Sequence, residues 1–519
     1  MLSFREAWFV MLVFVALAGC TKAPTGPEAG LQSFKTDPLM AHIQKLSSDE
    51  FDGRLPGTKG EVLTVQYLET QFKAMGLEPG NPDGTYVQKV PLVGITADPN
   101  MTLEISGRGK PIKAKYGTEF VAATKRVADS VSIDAEMVFV GYGVQAPEFQ
   151  WDDFKGMDVK GKVIVVLIND PPMPSPENPD PKIFGGKAMT YYGRWTYKFE
   201  KAAQLGAAGC LIIHETGPAG YGWGVVQNSW SGEQFDLVAP DKNMRRAAIE
   251  GWISGETAAA MLKNIGSDYA TLKKKALDRN FQPMPLGLKA KLTLKNTMRT
   301  VDSRNVIAKL TGSDEALKNE YVLYMAHWDH LGGDGPEVNG DKIYNGAFDN
   351  ASGTATLLEI ARAFKQLSTQ PKRTMLFLSV TAEEQGLVGS RYYAKTPLYP
   401  LARTVAVVNM DGTQVRGRTR DITVVGYGNS TLDDVVEAVM KEQSRVVRPD
   451  PEPEKGFYYR SDHFEFAKEG VPAVYFHAGI DYVGKHSGWG LEQRERYTRE
   501  DYHKPSDQIK PDWDLSGMV

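Results

Sequence analysis

The stretch Thr374–Gly386, TMLFLSVTAEEQG, begins as a run of apolar residues and ends near two adjacent acids, Glu383 and Glu384. A short apolar run of this kind is typical of a buried strand. Adjacent carboxylates repel each other, and they are costly to remove from water unless a cation or hydrogen bonds compensate. A Glu-Glu pair alone also suits the solvated first turn of a helix, where acids complement the helix dipole. The pair therefore indicates a metal site only if further ligands lie nearby.

The same stretch belongs to an alternation of apolar strands and helices that runs through the C-terminal half. Its members are YVLYMAHWD, GTATLLEIARAFKQL, RTMLFLSVTAEE, RTVAVVNMDG, TLDDVVEAVMKEQ and VPAVYFHAG. Alternation of this kind predicts an α/β fold whose sheet is covered by helices on both faces. Nearer the N-terminus, the spacing of apolar residues predicts a helix over 60–75. Short alternating strands from roughly 130 to 285 predict a small β-rich unit with a helix or two.

Composition limits the range of functions. The chain has 519 residues, of which 42% are hydrophobic and 24% charged, so it is long enough for two or more globular domains. Its formal net charge is -4, from 60 basic and 64 acidic residues. This balance gives no electrostatic basis for binding nucleic acid, and we expect small molecules or peptides as partners.

The N-terminus has the features of a signal peptide. Arg5 precedes an apolar run, residues 7–18, that is too short to span a bilayer comfortably. The run ends in LAGC, which resembles a bacterial lipoprotein signal, so we expect residues 1–19 to be removed and Cys20 to carry the lipid. Thr21 in the next position favours the outer membrane, facing the periplasm, and residues 20–35 are expected to form a flexible linker. The other cysteine, Cys210, has the surroundings of a small core residue.

Further polar residues follow the predicted strands of the C-terminal half. In open α/β sheets, binding sites form at the carboxyl ends of strands. The residues at or near such ends, or in loops that reach them, are His327, Asp329, Asp349, Glu383, Glu384, Asp411 and His503. Each alone has an ordinary explanation as a core histidine, a turn residue or a helix cap. Together, two histidines and several carboxylates suit a pair of zinc ions.

The motifs HWDHLG, NGAFDNASGTATLLEIARAF, AEEQGLVGSRYYA, NMDG, SDHFEFAKEGVPAVYF and YHKPSDQ also resemble a known family. They are similar, in this order, to motifs of the two-zinc exopeptidases of the bacterial leucyl aminopeptidase and glutamate carboxypeptidase type. The resemblance implies a zinc-exopeptidase fold with a mixed sheet and an inserted protease-associated domain. We expect residues 36–129 to be the N-terminal part of the peptidase domain, 130–285 the insert, and 286–519 the catalytic domain.

The resemblance also implies a role for each site residue. It assigns His327 and Asp411 to one zinc ion, Glu384 and His503 to the other, and Asp349 to a bridge between them. Glu383 is then the general base for the attacking water rather than a ligand.

Other residues of these motifs are expected to support the ligands. Asp329, two residues after His327, is a candidate for the carboxylate that fixes the ligand imidazole. Asp462 and Asp507 are candidates for similar roles, whereas His330 and His463 are expected to orient or pack. Phe348 stands where many members carry Asp, so the packing at the pocket entrance is expected to differ.

The family catalyses several reactions, so its fold alone does not fix the activity. An aminopeptidase that removes N-terminal residues from peptides is favoured, because no basic cluster near the motifs points clearly to carboxylate capture. Arg460 and Lys485 are the candidates for such capture in the alternatives, a carboxypeptidase or dipeptidase. The complete ligand set argues against a glutaminyl cyclase. A receptor-like binding protein without activity is the alternative from another functional class.

The inserted segment is rich in aromatic residues: Tyr191, Tyr192, Trp195, Tyr197, Tyr221, Trp223 and Trp230. Such rings can form the core of the insert, but rings flanked by glycine in loops are often found at binding surfaces. We therefore expect some of them, Trp223 and Tyr192 first, to overhang the zinc cleft and contact the substrate.

Overall fold

The computed structural model describes residues 27–519, so the predicted signal peptide and Cys20 lie outside the described residues. Residues 27–31, which fall in the predicted flexible linker, form a short helix that packs beside Leu367. The helices of the described chain are α1 Pro27–Leu31, α2 Thr36–Leu46, α3 Lys59–Ala74, α4 Trp195–Gln204, α5 Thr216–Ala219, α6 Trp223–Trp230, α7 Gly255–Asn264, α8 Tyr269–Ala276, α9 Ser352–Lys365, α10 Val388–Lys395, α11 Leu432–Glu442, α12 His463–Lys468 and α13 Trp489–Glu500.

The strands vary from two residues to 27, and the longest serves two sheets. They are β1 Glu78–Pro79, β2 Val87–Ala97, β3 Thr102–Gly107, β4 Ile112–Lys115, β5 Phe120–Ala123, β6 Ser130–Phe139, β7 Gln145–Ala146, β8 Trp151–Asp152, β9 Val163–Leu167, β10 Gly209–Ile213, β11 Glu233–Leu237, β12 Ile249–Ile253, β13 Met284–Leu310, β14 Tyr321–His327, β15 Thr374–Val380, β16 Thr404–Asn409, β17 Asp421–Val425, β18 Val446–Pro449 and β19 Ala473–Ala478.

The first sheet has the strand order β11-β2-β13-β15-β14-β16-β19-β17-β18. Its centre, β15-β14-β16-β19, is parallel, and antiparallel pairs flank it on both sides. Parallel strands are covered on both faces, and β15 illustrates why, since all seven of its residues are buried. Phe377 packs with α3 and α9, whereas Leu376 and Leu378 pack on the opposite face with α10 and α12. The predicted α/β sheet covered by helices on both faces is confirmed.

The second sheet has the order β4-β3-β13-β6-β9-β10-β12-β5 and its own apolar core. We call residues 102–294, which carry this sheet and helices α4 to α8, the insert. Strands β3 to β5 precede the predicted boundary at residue 130, and β13 runs through the predicted boundary at residue 285. The identity of this unit as a protease-associated domain stays a prediction.

Two strands join the insert to the first sheet. The first part of β13 pairs with β3 and β6 in the insert, and its last part pairs with β2 and β15. Strand β11 returns from the insert to pair with β2. The insert is therefore fixed to the first sheet at two places. Within residues 27–519, no helix combines the length and apolar character needed to cross a membrane.

Candidate metal centre

Several of the polar residues singled out in the sequence meet at one edge of the first sheet. His327 is the last residue of β14, Glu383 and Glu384 follow β15, and Asp411 follows β16. These strands are parallel neighbours, so their carboxyl ends lie at the same edge.

Asp349 and His503 reach this edge from loops. Asp349 lies in the turn Ala347–Ala351 that leads into α9, and His503 follows α13. The carboxylate of Asp507 accepts hydrogen bonds from the backbone N–H groups of Phe348 (3.1 Å) and Asp349 (3.0 Å). Asp507 thus holds the Asp349 loop in place.

The Asp349 carboxylate lies between the two histidines. Its Oδ1 is 3.4 Å from His327 Nε2, and its Oδ2 is 3.5 Å from His503 Nε2. Asp411 Oδ1 is 3.5 Å from His327 Nε2, and Glu384 Oε2 is 3.0 Å from His503 Nε2. The five predicted ligands thus form two halves that share Asp349.

The donor atoms fit divalent cations. His327, Asp349 and Asp411 place one ligand atom each within 4.8 Å of one another, and His330, Asp349 and Glu384 do the same. His327 Nε2 is buried without a hydrogen-bond partner among the described residues, although carboxylate oxygens surround it. Imidazole nitrogen and carboxylate oxygen are common zinc ligands.

The electrostatics of the cluster favour positive charge. Burial lowers the pKa of the His503 imidazole, but Glu384 and Asp349 outweigh burial and raise this pKa to about 10. Burial likewise opposes the rise for His327, yet its carboxylate neighbours, led by Glu383, raise its pKa well above the usual value. Burial raises the pKa of Glu384, but His503 outweighs it and brings the value to about 2. A pocket that stabilises imidazolium ions in this way is suited to cations.

The pKa of Glu383 is shifted in the opposite direction to that of Glu384. Burial raises the pKa of the Glu383 carboxyl well above its usual range, and the negative charges of Glu384 and Asp411 add to the rise against the effect of His327. Its Oε2 lies 4.0 Å from His327 Nε2. Glu383 therefore holds a proton more readily than an ordinary glutamate.

Asp329 supports the two glutamates as well as the histidine. Its carboxylate accepts hydrogen bonds from the backbone N–H groups of Glu383 (3.1 Å) and Glu384 (3.4 Å). Its Oδ1 is 3.8 Å from His327 Nδ1, whereas its backbone oxygen is only 3.2 Å from that nitrogen. Burial raises the pKa of Asp329 to about 8. Asp329 thus connects the ends of β14 and β15.

The remaining candidates lie around the cluster. Asp462 accepts a hydrogen bond of 2.6 Å from Ser390 Oγ, and His330 Nδ1 lies 2.5 Å from Glu384 Oε1. His463 is fully buried, and neither of its ring nitrogens has a hydrogen-bond partner among the described residues. Lys485 is exposed and stacks over Trp489, away from the cluster.

The cluster opens into a cavity of about 310 Å³ between the insert and the first sheet. Four of the seven aromatic residues noted in the insert line it: Tyr191, Trp195, Tyr221 and Trp230. Phe348 and Arg460, from outside the insert, also line it. The predicted contribution of insert rings to the cleft therefore holds for these four residues.

The specific choice of Trp223 and Tyr192 was wrong, because neither lines the cavity. Trp223 Nε1 donates a hydrogen bond of 2.8 Å to Gly117 O, and Tyr192 OH donates one of 2.7 Å to Glu148. The Tyr192 ring also packs against Tyr197 inside the insert. Their polar groups find partners within the insert, so both rings belong to its own structure.

Sequence reasoning missed three residues of this region. Arg54 is buried and donates hydrogen bonds to the carbonyl oxygens of Trp328 and Gly346, which adjoin the ligand segments. Arg194 and Tyr502 line the cavity. The only signal for Tyr502 was its place beside His503, and Arg194 had none outside the aromatic segment.

Comparison with known proteins identifies the family. Residues 305–519, which contain all of the predicted ligands and Glu383, match the model of "Peptidase family M28". Residues 305–519 are therefore a region of the peptidase family M28 type. The predicted resemblance to two-zinc exopeptidases is thereby confirmed at the level of the family, whereas the number of metal ions is left as a proposal.

Two proteins that the chain resembles carry names of different activities. It is 24% identical over 497 residues to "Probable glutamate carboxypeptidase AMP1" of Arabidopsis thaliana, covering 88% of this chain and 64% of that protein. It is 32% identical over 201 residues to "Aminopeptidase NAALADL1" of Mus musculus, covering 37% of this chain and 24% of that protein. The chain thus spans less than two thirds of either relative.

A solved structure supports the fold. The aminopeptidase from Aneurinibacillus sp. strain AM-1 superposes with a TM-score of 0.53 at 20% sequence identity, covering 92% of this chain and 95% of that one. The similarity extends through the insert as well as the M28 region.

Proposed function

We propose that this protein is a two-zinc exopeptidase. His327 and Asp411 would hold one ion, Glu384 and His503 the other, and Asp349 would bridge them. The observation that carries the proposal is the position of Asp349, whose two carboxylate oxygens face different histidines at 3.4 and 3.5 Å. A carboxylate with one oxygen toward each half of a donor set is suited to bind two cations at once.

The residues of the chain supply the proton transfers. When bound, zinc polarises a carbonyl group and makes water more acidic. Glu383 would accept the proton of the attacking water at its carboxylate and pass it to the amine nitrogen as the C–N bond breaks. Burial, with help from Asp349, raises the pKa of Tyr502 well above its usual value. Tyr502 therefore remains a neutral hydrogen-bond donor facing the cavity.

We favour cleavage at the amino end of peptides. The wall of the cavity around the cluster is formed by carboxylates, including Glu383, Glu384 and Asp411, which suit a free N-terminal ammonium group. The cavity is also small, about 310 Å³, and the insert forms one of its walls. These features favour short peptides or chain ends over folded proteins.

A second candidate, a carboxypeptidase or dipeptidase, is favoured by two arginines. Arg194 is 94% buried and Arg460 half-buried, both line the cavity, and the Nε of each has no hydrogen-bond partner among the described residues. Burial, followed by the charge of Arg460, lowers the pKa of Arg194 to about 10. Within residues 27–519 neither guanidinium has a carboxylate partner, so the pair suits the free carboxylate of a substrate.

Three forms of one dipeptide distinguish these activities: the free dipeptide, its N-acetyl derivative and its C-terminal amide. An aminopeptidase hydrolyses the free dipeptide and the amide, a carboxypeptidase the free and acetylated forms, and a dipeptidase the free form alone. Hydrolysis of all three forms is measured with zinc-loaded protein, and the set is repeated for dipeptides with several different side chains. Zinc uptake without hydrolysis of any substrate would favour the receptor-like binding protein.

The arginine pair is tested with the same substrates. Arg194→Met keeps most of the apolar stem and removes the charge. If Arg194 binds the substrate carboxylate, kcat/KM should fall by about 10- to 100-fold on the free dipeptide and remain unchanged on its amide, since a charge-assisted hydrogen bond contributes about 1.5–3 kcal/mol. Arg108→Met, at an exposed position of the insert, is the control. An equal loss on both substrates would contradict carboxylate binding.

We also propose that Cys20 anchors the protein to the outer membrane through lipid. Cys20→Ser removes the acceptor and should leave an unprocessed precursor or move the protein out of the detergent-requiring fraction. The measurement is membrane fractionation with N-terminal sequencing. Unchanged fractionation, together with a mature N-terminus other than residue 20, would contradict the proposal.

A further inference from the structure

The insert reaches the metal centre through one helix. Helix α6 ends beside His503, and two consecutive residues of this helix form hydrogen bonds to that histidine. Ser229 Oγ lies 2.7 Å from His503 Nδ1, and Asn228 Nδ2 donates a hydrogen bond of 2.8 Å to His503 O. The ring and the backbone of one predicted ligand are thus both held from the insert.

His503 also has an unusual backbone conformation. Its backbone φ is 54°, in the left-handed region that residues with a Cβ seldom adopt. The Asn228 hydrogen bond fixes the carbonyl group of this strained residue. The Tyr502 ring lies against the imidazole, with 3.9 Å between ring centroids. Contacts from several directions therefore fix the orientation of the imidazole ring.

The Ser229 contact also selects the tautomer. A neutral imidazole that offers its Nε2 lone pair to a cation carries its proton on Nδ1. Ser229 Oγ can accept the hydrogen bond from that Nδ1–H, which leaves Nε2 directed at Asp349 and Glu384. A hydrogen-bond partner of this kind fixes the tautomer and the ring orientation of a ligand imidazole, and here the partner lies 274 residues away in the sequence, in the insert.

We propose that Asn228 and Ser229 are positioning residues for the metal centre, so that the insert completes the half-site formed by Glu384 and His503. The inference rests on the proposed two-zinc function. It gives the insert a role beyond forming a wall of the cavity, because the insert sets the affinity of one ion. A shift of α6 away from His503 would then release that ion before the other.

Contacts within the insert hold both ends of α6 in place. Trp230, the last residue of the helix, packs against Trp195 and Phe199, with 5.4 Å between ring centroids in each case. Trp223, its first residue, donates its indole hydrogen bond to Gly117 O. Both ends of α6 are anchored in the insert, so Asn228 and Ser229 are presented to His503 by a rigid element.

The test is a zinc titration of metal-free protein in competition with a chromogenic chelator. Ser229→Ala should lower the affinity for one of two zinc ions by about 10- to 100-fold and leave the affinity for the other unchanged. This is the usual effect of removing a hydrogen-bond partner of a ligand. Asn228→Ala should weaken the same ion. Ser229→Thr keeps the hydroxyl and should restore the affinity. Gln227→Ala, in the same helix but with a side chain that forms no hydrogen bond among the described residues, should match the unmodified protein.

Melting temperatures of the metal-free variants separate this role from a general loss of structure, since they should match that of the unmodified protein. Wild-type zinc affinity in both Ser229→Ala and Asn228→Ala would overturn the inference and leave the proposed function intact. An equal loss in Gln227→Ala would also overturn it. If the unmodified protein takes up no zinc, the proposed function fails and the inference fails with it.

Discussion

Glu383 and Glu384 are neighbours in the chain, but the pKa values of their carboxyl groups are shifted in opposite directions. His503, 3.0 Å away, outweighs burial and lowers the pKa of Glu384, whereas burial, together with Glu384 and Asp411, raises the pKa of Glu383. We expect Glu383→Gln to retain zinc and lower kcat by about 100- to 10,000-fold, because the amide keeps the shape and removes the base. Glu384→Gln should lower the zinc content itself. Near-full activity of zinc-loaded Glu383→Gln would exclude Glu383 as the base.

His463 should make the fold sensitive to acid. Burial lowers its pKa to about 3. This folded-state pKa lies below the usual value of about 6.5, so the unfolded chain binds the proton more readily than the folded one. The free energy of unfolding is therefore unaffected by His463 above pH 6.5 and falls as pH drops toward 3, by at most about 1.4 kcal/mol per pH unit. His463→Phe cannot take up the proton, so its melting temperature should fall less between pH 7 and pH 5. Metal-free protein is used for both, and parallel curves would contradict the prediction.

At the residue scale, the sequence could predict only what local patterns and the resemblance reveal. His327, Glu384 and Asp411 each follow or end an apolar strand, so their meeting could be expected from the parallel sheet. Arg194 and Ser229 approach the site from the insert. Their positions depend on how the two sheets pack, which no spacing in the sequence encodes.

At the scale of elements, the start of α9 is packed too closely to accept a side chain at Gly353. A Cβ there would lie 2.3 Å from Asn350 Oδ1 and 2.4 Å from Met410 O. Both neighbours adjoin predicted ligands, and Asn350 Oδ1 also accepts hydrogen bonds from the N–H groups of Gly353 and Gly412. Any displacement would therefore reach the metal centre.

Gly353→Ala should destabilise the protein by about 1–3 kcal/mol through overpacking and weaken zinc binding. Thermal unfolding and zinc titration measure the two effects. Gly217→Ala is the matched control, because no atom lies within 4 Å of the added Cβ in the short helix α5. A stable Gly353→Ala protein with normal zinc affinity would show that the turn before α9 can move freely.

The elements themselves were predictable where one periodicity dominates. The apolar stripe predicted a helix over 60–75, and the structure has α3 at Lys59–Ala74. Strand β13 was not predicted as one element, because its first part alternates as an insert strand and its last part is buried on both faces of the first sheet. The change in pattern along the sequence marks a change of sheet rather than the end of a strand.

At the scale of the whole molecule, the insert and the first sheet are joined both by strand pairing and by contacts at the metal centre. They share β13, they meet again at β11, and α6 contacts His503. The ion pair between Arg391 and Asp236, with 2.5 Å between Nη2 and Oδ1, adds a further contact near the cavity. A ligand that fixes His503 therefore acts on both units.

Zinc should accordingly raise the melting temperature of the entire molecule. A ligand that binds only the folded state at 100 to 1,000 times its Kd stabilises it by about 2.7–4.1 kcal/mol, which corresponds to a rise of several degrees. Chelator-treated protein is melted with and without added zinc, and Ca²⁺, which prefers sites made of oxygen ligands alone, is the control ion. Glu383→Gln should keep the zinc-dependent rise, whereas Glu384→Gln and His503→Ala should lose most of it. The ligand assignment would be wrong if these two variants responded to zinc as strongly as Glu383→Gln, because the half-site that they disrupt would then contribute nothing to binding.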